Sequence, residues 1–132
     1  MIFRCFNPAT DASAALARLN PFPPNVQEWM APHYTAFPPE NVVVAEDAGA
    51  LVGCLHIFDG GFPWAILDGW YLTPPYRTLA NALAMGRFAE SELRRRGIPF
   101  YVVSAPTRLS RAMVRTGLTI ISDDQHLLGR HL

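Results

Sequence analysis

The chain has 132 residues, half of them apolar, with eleven basic and eleven acidic side chains. That length and apolar content predict a single domain, residues 1–132, whose core needs neither disulfides nor a structural metal. Zero net charge argues against a nucleic-acid binder, no apolar run approaches the ~20 residues of a membrane span, and the start lacks a secretory pattern, so a cytoplasmic protein is expected.

The charge is unevenly spread. Residues 1–76 carry two Arg against seven carboxylates, whereas residues 77–132 carry nine Arg against four. The basic half is therefore the side on which an anionic ligand or partner is expected. Cys5 and Cys54 stand in separate apolar stretches with no CxxC and no paired His. Both are read as reduced, buried and structural, and no metal site is expected.

In chain order, Ile2, Phe3 and Phe6 predict a short first strand. Asn7 and Pro8 cap a helix from about Ala9 to Leu19, and Val26 to about Tyr34 gives a second short helix. Seven of the twelve prolines fall between Asn7 and Asn41, so this front third reads as stiff turns around two small helices. It is expected to cap the sheet or to wall a site.

From Val42 the pattern changes to strands. VVVAE and LVGCLHIF flank EDAGA, an antiparallel hairpin, and after DGGFP the strand WAILDGWYL completes a three-strand meander. Gly69, inside that last strand, predicts a bulge that splays the strand's end from its neighbour.

A long helix is predicted from about Tyr76 to Arg96, opened by Arg77 and closed by Gly97. Leu79, Leu83, Gly86, Ala89, Glu90 and Leu93 follow one face at three- and four-residue spacing, as packing on a sheet requires. Arg94, Arg95 and Arg96 fall in the last turn, where the helix dipole and a glycine C-cap account for them. Pro99 to Ser104 gives a parallel-type strand buried on both faces, completing a βαβ unit.

A short helix from Leu109 to Thr116, stopped by Gly117, puts Arg108, Arg111 and Arg115 on one face. These are read either as a solvated face or as further phosphate contacts. LTIIS and HLLGRHL, joined by DDQ, form a closing pair of strands.

The start of the long helix is the candidate site, because unpaired N–H groups and the positive end of the helix dipole suit a phosphate. The element order β, α, α, β, β, β, α, β, α, β, β and the residues themselves resemble the GNAT N-acetyltransferases. The run Leu72, Thr73, Pro74, Pro75, Tyr76, Arg77, Thr78, Leu79, Ala80, Asn81, Ala82 is similar to that family's cofactor motif, with Ala80 where the first glycine is expected. SRAMVRTGLTI resembles the family's helix and turn ending in Gly-Phe, with Leu118 in the Phe position. Met113 stands where many members carry a Tyr.

The resemblance implies an α+β fold: a mixed, mostly antiparallel central sheet, a βαβ cofactor unit and helices on both faces. It also implies acetyl-CoA as acyl donor. Backbone along Arg77, Thr78, Leu79, Ala80, Asn81 and Ala82 would hold the pyrophosphate, the strand end with Leu72 and Thr73 would pair with the pantetheine arm, and Arg108 or Arg111 would assist a phosphate. Asp68 is the candidate base, His56 the second candidate acting through water, and Tyr71 and Tyr76 are possible substitute acids.

The expected reaction is acyl transfer to an amine of a small molecule or protein. Ala80 and Met113 keep an alternative open, a domain that has lost catalysis and serves in binding or assembly, as in a bacteriophage virion. A homodimer through exposed Trp or Phe near residues 62–70 stays open too.

Overall fold

The computed structural model describes residues 1–11, 38–61, 63–104, 107–122 and 127–132. The front segment predicted to hold two short helices lies outside these, apart from a first helical turn at residues 8–11, and so does the DDQ turn.

Among the described residues seven strands form one sheet: β1 (Ile2–Cys5), β2 (Val42–Asp47), β3 (Ala50–Phe58), β4 (Ala65–Leu72), β5 (Phe100–Ser104), β6 (Thr119–Ser122) and β7 (Leu127–His131). Their order across the sheet is β1-β2-β3-β4-β5-β7-β6. Every neighbouring pair is antiparallel except β4 and β5, which run parallel. The expected hairpin is β2 and β3, turning at Ala48–Gly49, and β4 completes the meander. The closing pair is β6 and β7, with β7 inserted beside β5.

Helix α1 (Leu79–Arg95) makes the crossover between β4 and β5, and α2 (Thr107–Arg115) follows β5. Met85, Ala89 and Leu93 of α1 are fully buried against Leu55, Ile57, Leu67 and Val103 of the sheet. Met85 and Leu93 each contribute about 1.5–3 kcal/mol of transfer free energy and Ala89 less, which is what holds the helix down. Met113 of α2 and the following Leu118 join the same core, so α1 and α2 share one face of the sheet.

The structure shifts two expectations for α1. The helix begins at Leu79, not Tyr76, because Pro74–Tyr76 forms a separate 3-10 turn and Thr78 is the N-cap. Leu79 is 51% exposed and does not join the sheet-facing stripe; Met85 takes that role. The predicted end holds: the amides of Gly97 and Ile98 donate to the carbonyls of Arg94 and Leu93, the paired bonds of a Schellman cap. β5 is not buried on both faces, since Tyr101 and Val103 are buried and Phe100 and Val102 only half-buried. Cys54 is buried and Cys5 half-buried, and the two are not joined in a disulfide.

Candidate active site

Ala65, Ile66 and Leu67 of β4 pair with Tyr101, Val102 and Val103 of β5, and there the pairing stops. Among the described residues, β4 runs on to Leu72 beside β3 alone. Its far edge is thereby left open to a ligand, the place where an extended molecule can add main-chain hydrogen bonds.

A bulge makes this divergence. His56 faces Asp68 and Cys54 faces Tyr71, so Gly69 and Trp70 together oppose the single residue Leu55. Gly69 takes φ +65°, the left-handed region an L side chain rarely enters. The extra residue bends β4. Past it, Trp70 turns to the α1 face, and its ring lies so close to Gly86 that a Cβ there would sit 2.7 Å from Cη2.

The loop beyond β4 is braced at each step. The Thr73 amide donates to the Val52 carbonyl at 2.8 Å, and that of Tyr76 to the Thr73 carbonyl at 2.8 Å. Asn81 Nδ2 donates to the Tyr76 carbonyl at 2.9 Å, while Thr78 Oγ1 accepts from the Asn81 amide at 3.2 Å. The Ala82 amide is taken by the Thr78 carbonyl. Leu79 and Ala80 are the first two helical positions, so their N–H groups have no carbonyl one turn back and point out of the helix at its positive end.

Arg77 lies in the loop, two residues ahead of the helix. Its Nε donates to the Leu72 carbonyl at 2.7 Å, and its guanidinium carbon stands 5.5 Å from the Tyr71 ring centroid. The side chain is thus folded back on the end of β4. Arg111 is exposed on α2; the side chain of Arg108 is outside the described set. Thr78 is a residue whose structural role sequence reading passed over, although Thr followed three residues later by a polar Asn is a legible capping signal.

Asp68 is exposed and His56 is 5% exposed, directly across the strand on the same sheet face. Asp68 Oδ1 accepts from the Gly69 amide at 2.7 Å. Tyr76, raised as a substitute acid, instead donates its hydroxyl to Asp47 Oδ2 at 2.8 Å.

On the α1 face, a cavity of about 140 Å³ has Trp70, Leu83 and Met113 in its walls together with Glu90, Tyr101 and Arg130. The Tyr101 hydroxyl and Arg130 Nη1 both donate to Glu90 Oε1. Burial, and then the Glu90 acceptor, push the Tyr101 hydroxyl well above the ordinary tyrosine range, so it is a poor proton donor. The indole N–H of Trp70 is buried with no acceptor among the described residues.

No protein-family model and no curated protein matches the chain. Solved structures do. An aminoglycoside 6'-acetyltransferase type Ii superposes with a TM-score of 0.77 at 16% identity, covering 99% of this chain and 97% of the other. A ribosomal-protein-alanine N-acetyltransferase from Brucella melitensis gives 0.65 at 20% identity with complete coverage of both chains. A PaiA N-acetyltransferase from Thermoplasma acidophilum, solved with coenzyme A, gives 0.69 at 12% identity over 99% and 98%. The fold is therefore that of the GNAT acetyltransferases, an α+β architecture on a mixed, mostly antiparallel sheet. Among the described residues no helix is long and apolar enough to cross a membrane.

Proposed function

We propose that this chain is an acyl-CoA-dependent N-acyltransferase, with acetyl-CoA as donor and an amine as acceptor. The observation that carries the reading is the divergence of β4 from β5 after Leu67 and Val103, with the Leu79 and Ala80 amides, unpaired among the described residues, at the start of the helix that follows β4. An open strand edge and an anion-binding helix start match a ligand with an amide-bearing arm and a diphosphate. The likeness to an acetyltransferase solved with coenzyme A supports the same reading.

The residues present fit this donor. Leu72 and Thr73 end the open strand; the amides of Leu79 and Ala80 would meet the pyrophosphate, with Thr78, Asn81 and Ala82 holding that turn in shape. Arg77 fits better as the brace of the loop than as a direct phosphate ligand, because its Nε is committed to the Leu72 carbonyl. Arg111, exposed on α2, is free to add positive charge, and Arg108 precedes it by one helical turn. Ala80 adds one methyl group at the approach, and its amide is as available as a glycine's.

Bound acetyl-CoA supplies a thioester, whose C–S bond breaks as the amine forms its new N–C bond. No nucleophile from the chain is needed, which suits two buried or half-buried thiols. Asp68, exposed and with His56 immediately across the strand, would take the proton that the amine loses. Met113 has no proton to give, Tyr76 is committed to Asp47 and Tyr101 to Glu90. A thiolate is a far better leaving group than an alkoxide or an amide anion, so departure without a side-chain acid is feasible.

Calorimetric titration with acetyl-CoA tests this. Micromolar binding is expected. Absence of heat at millimolar ligand would rule out the enzyme and leave the non-catalytic binding or assembly reading.

A further inference from the structure

Two independent geometric features converge on Gly69. Its own amide holds Asp68 Oδ1 at 2.7 Å. On its other side, a Cβ built at Gly69 would lie 2.4 Å from His56 Nδ1, closer than any real side chain tolerates. The imidazole therefore occupies the space that any other residue at this position would fill.

The bulge is what sets up this coincidence. Because Gly69 and Trp70 oppose Leu55 alone, the strand is bent at the residue next to Asp68, and the backbone of Gly69 comes down onto the ring of the residue facing Asp68. Phe58, two residues along β3, stands with its ring centroid 6.1 Å from that of His56. The imidazole is thus bounded by Gly69 on one strand and Phe58 on its own.

We infer that Gly69 is a positioning residue of the proposed acyl-transfer site, seating the His56 imidazole through its missing Cβ and the Asp68 carboxylate through its N–H. The inference rests on the acyltransferase reading and adds a division of labour to it. Asp68 meets the acceptor amine, and His56 is held directly opposite it by a residue that itself makes no contact with substrate. A bulge glycine kept only to turn the strand would need the positive φ alone; the contact with Nδ1 is a second and separate requirement.

The test is a double-mutant cycle on the full chain between Gly69→Ala and His56→Ala. It reads kcat from thiol release with acetyl-CoA and a panel of primary amines, the dissociation constant of CoA by calorimetry, and the His56 imidazole signals by NMR. In the otherwise unchanged chain, Gly69→Ala should shift the His56 signals and lower kcat about a hundredfold, the scale of an ångström-sized misplacement. CoA affinity should fall far less than kcat, since the phosphate-binding turn is untouched. With His56→Ala already present, Gly69→Ala should cost much less further kcat, because the clash it creates has gone and only the strain of the left-handed φ remains.

Losses that multiply in the double variant, or unshifted His56 signals, would overturn the inference while leaving the acyltransferase reading intact. Failure of the unmutated chain to bind CoA would instead remove that reading, and this role with it. If Gly69→Ala alone fails to fold, the double variant decides: a gain in folded fraction over the single variant supports the seat for His56, and no gain refutes it.

Discussion

The hydroxyl of Tyr76 donates to Asp47 Oδ2 at 2.8 Å and so ties the loop ahead of α1 to the end of β2. That bond holds the Tyr76 hydroxyl above its usual titration range and turns it away from acid catalysis. Tyr76→Phe should accordingly leave kcat unchanged while weakening CoA binding a few-fold, as the turn that presents the Leu79 and Ala80 amides loosens. A steep fall in kcat with unchanged affinity would return Tyr76 to the list of proton donors.

At the start of α1, Arg77→Glu should weaken CoA binding about tenfold or more, the worth of one charge-assisted bond to the Leu72 carbonyl. Arg95→Glu, at the opposite end of the helix and paired with Glu92, should change it by no more than about twofold. Ala80→Gly should bind as tightly or more tightly. Calorimetry of the three variants checks the placement, and equal losses at Arg77 and Arg95 would move the phosphate elsewhere.

Trp70 and Gly86 are packed so closely that Gly86→Ala should destabilise the fold by about 1–3 kcal/mol through overpacking, less about 1 kcal/mol regained in helix propensity. Thermal denaturation reads the net loss. Replacing Trp70 with a smaller aromatic in the same chain should reverse its sign, leaving only the propensity gain.

Asp11 is buried, and two bonds from the Arg4 guanidinium, at 2.6 and 2.9 Å, hold its carboxyl below the usual carboxylate range, aided by the Asn7 amide. A group whose folded pKa is depressed contributes stability above its unfolded value, near pH 4, and loses it as pH falls towards the folded value. Acid unfolding should therefore be steeper in the native chain than in Asp11→Asn. The variant should cost about 1.5–3 kcal/mol at neutral pH and little at the acid end.

Much of this architecture was legible from local pattern. The β2–β3 hairpin, the turn glycine of the β4 bulge and the Gly97 helix end each depend on residues within a few positions of one another, and the β4–β5 crossover follows from the strand–helix–strand order. What local pattern did not reveal lay at longer range. The insertion of β7 between β5 and β6 depends on pairing between Val103 and Leu128, which no window of sequence contains. The helix start was misread because Pro74, Pro75 and Tyr76 are compatible with a first α-turn and with a 3-10 turn alike; the Thr78 cap decides between them. The contact between Gly69 and His56 was similarly out of reach, because it needs both the bulge and the register of β3 against β4.

The short parallel pairing of β4 with β5 has a mechanical meaning as well. It is a seam: three paired positions join the antiparallel sheet built by β1 to β4 to the one built by β5 to β7, with α1 spanning both. A donor lying along the open edge of β4, its phosphates at the start of α1, would act as a stitch where the main-chain pairing gives out. The chain should therefore gain heat resistance with ligand concentration, about 2.7 kcal/mol at a hundred times the dissociation constant. Hydrogen exchange should slow first at Asp68 to Leu72, along the line where the two halves part.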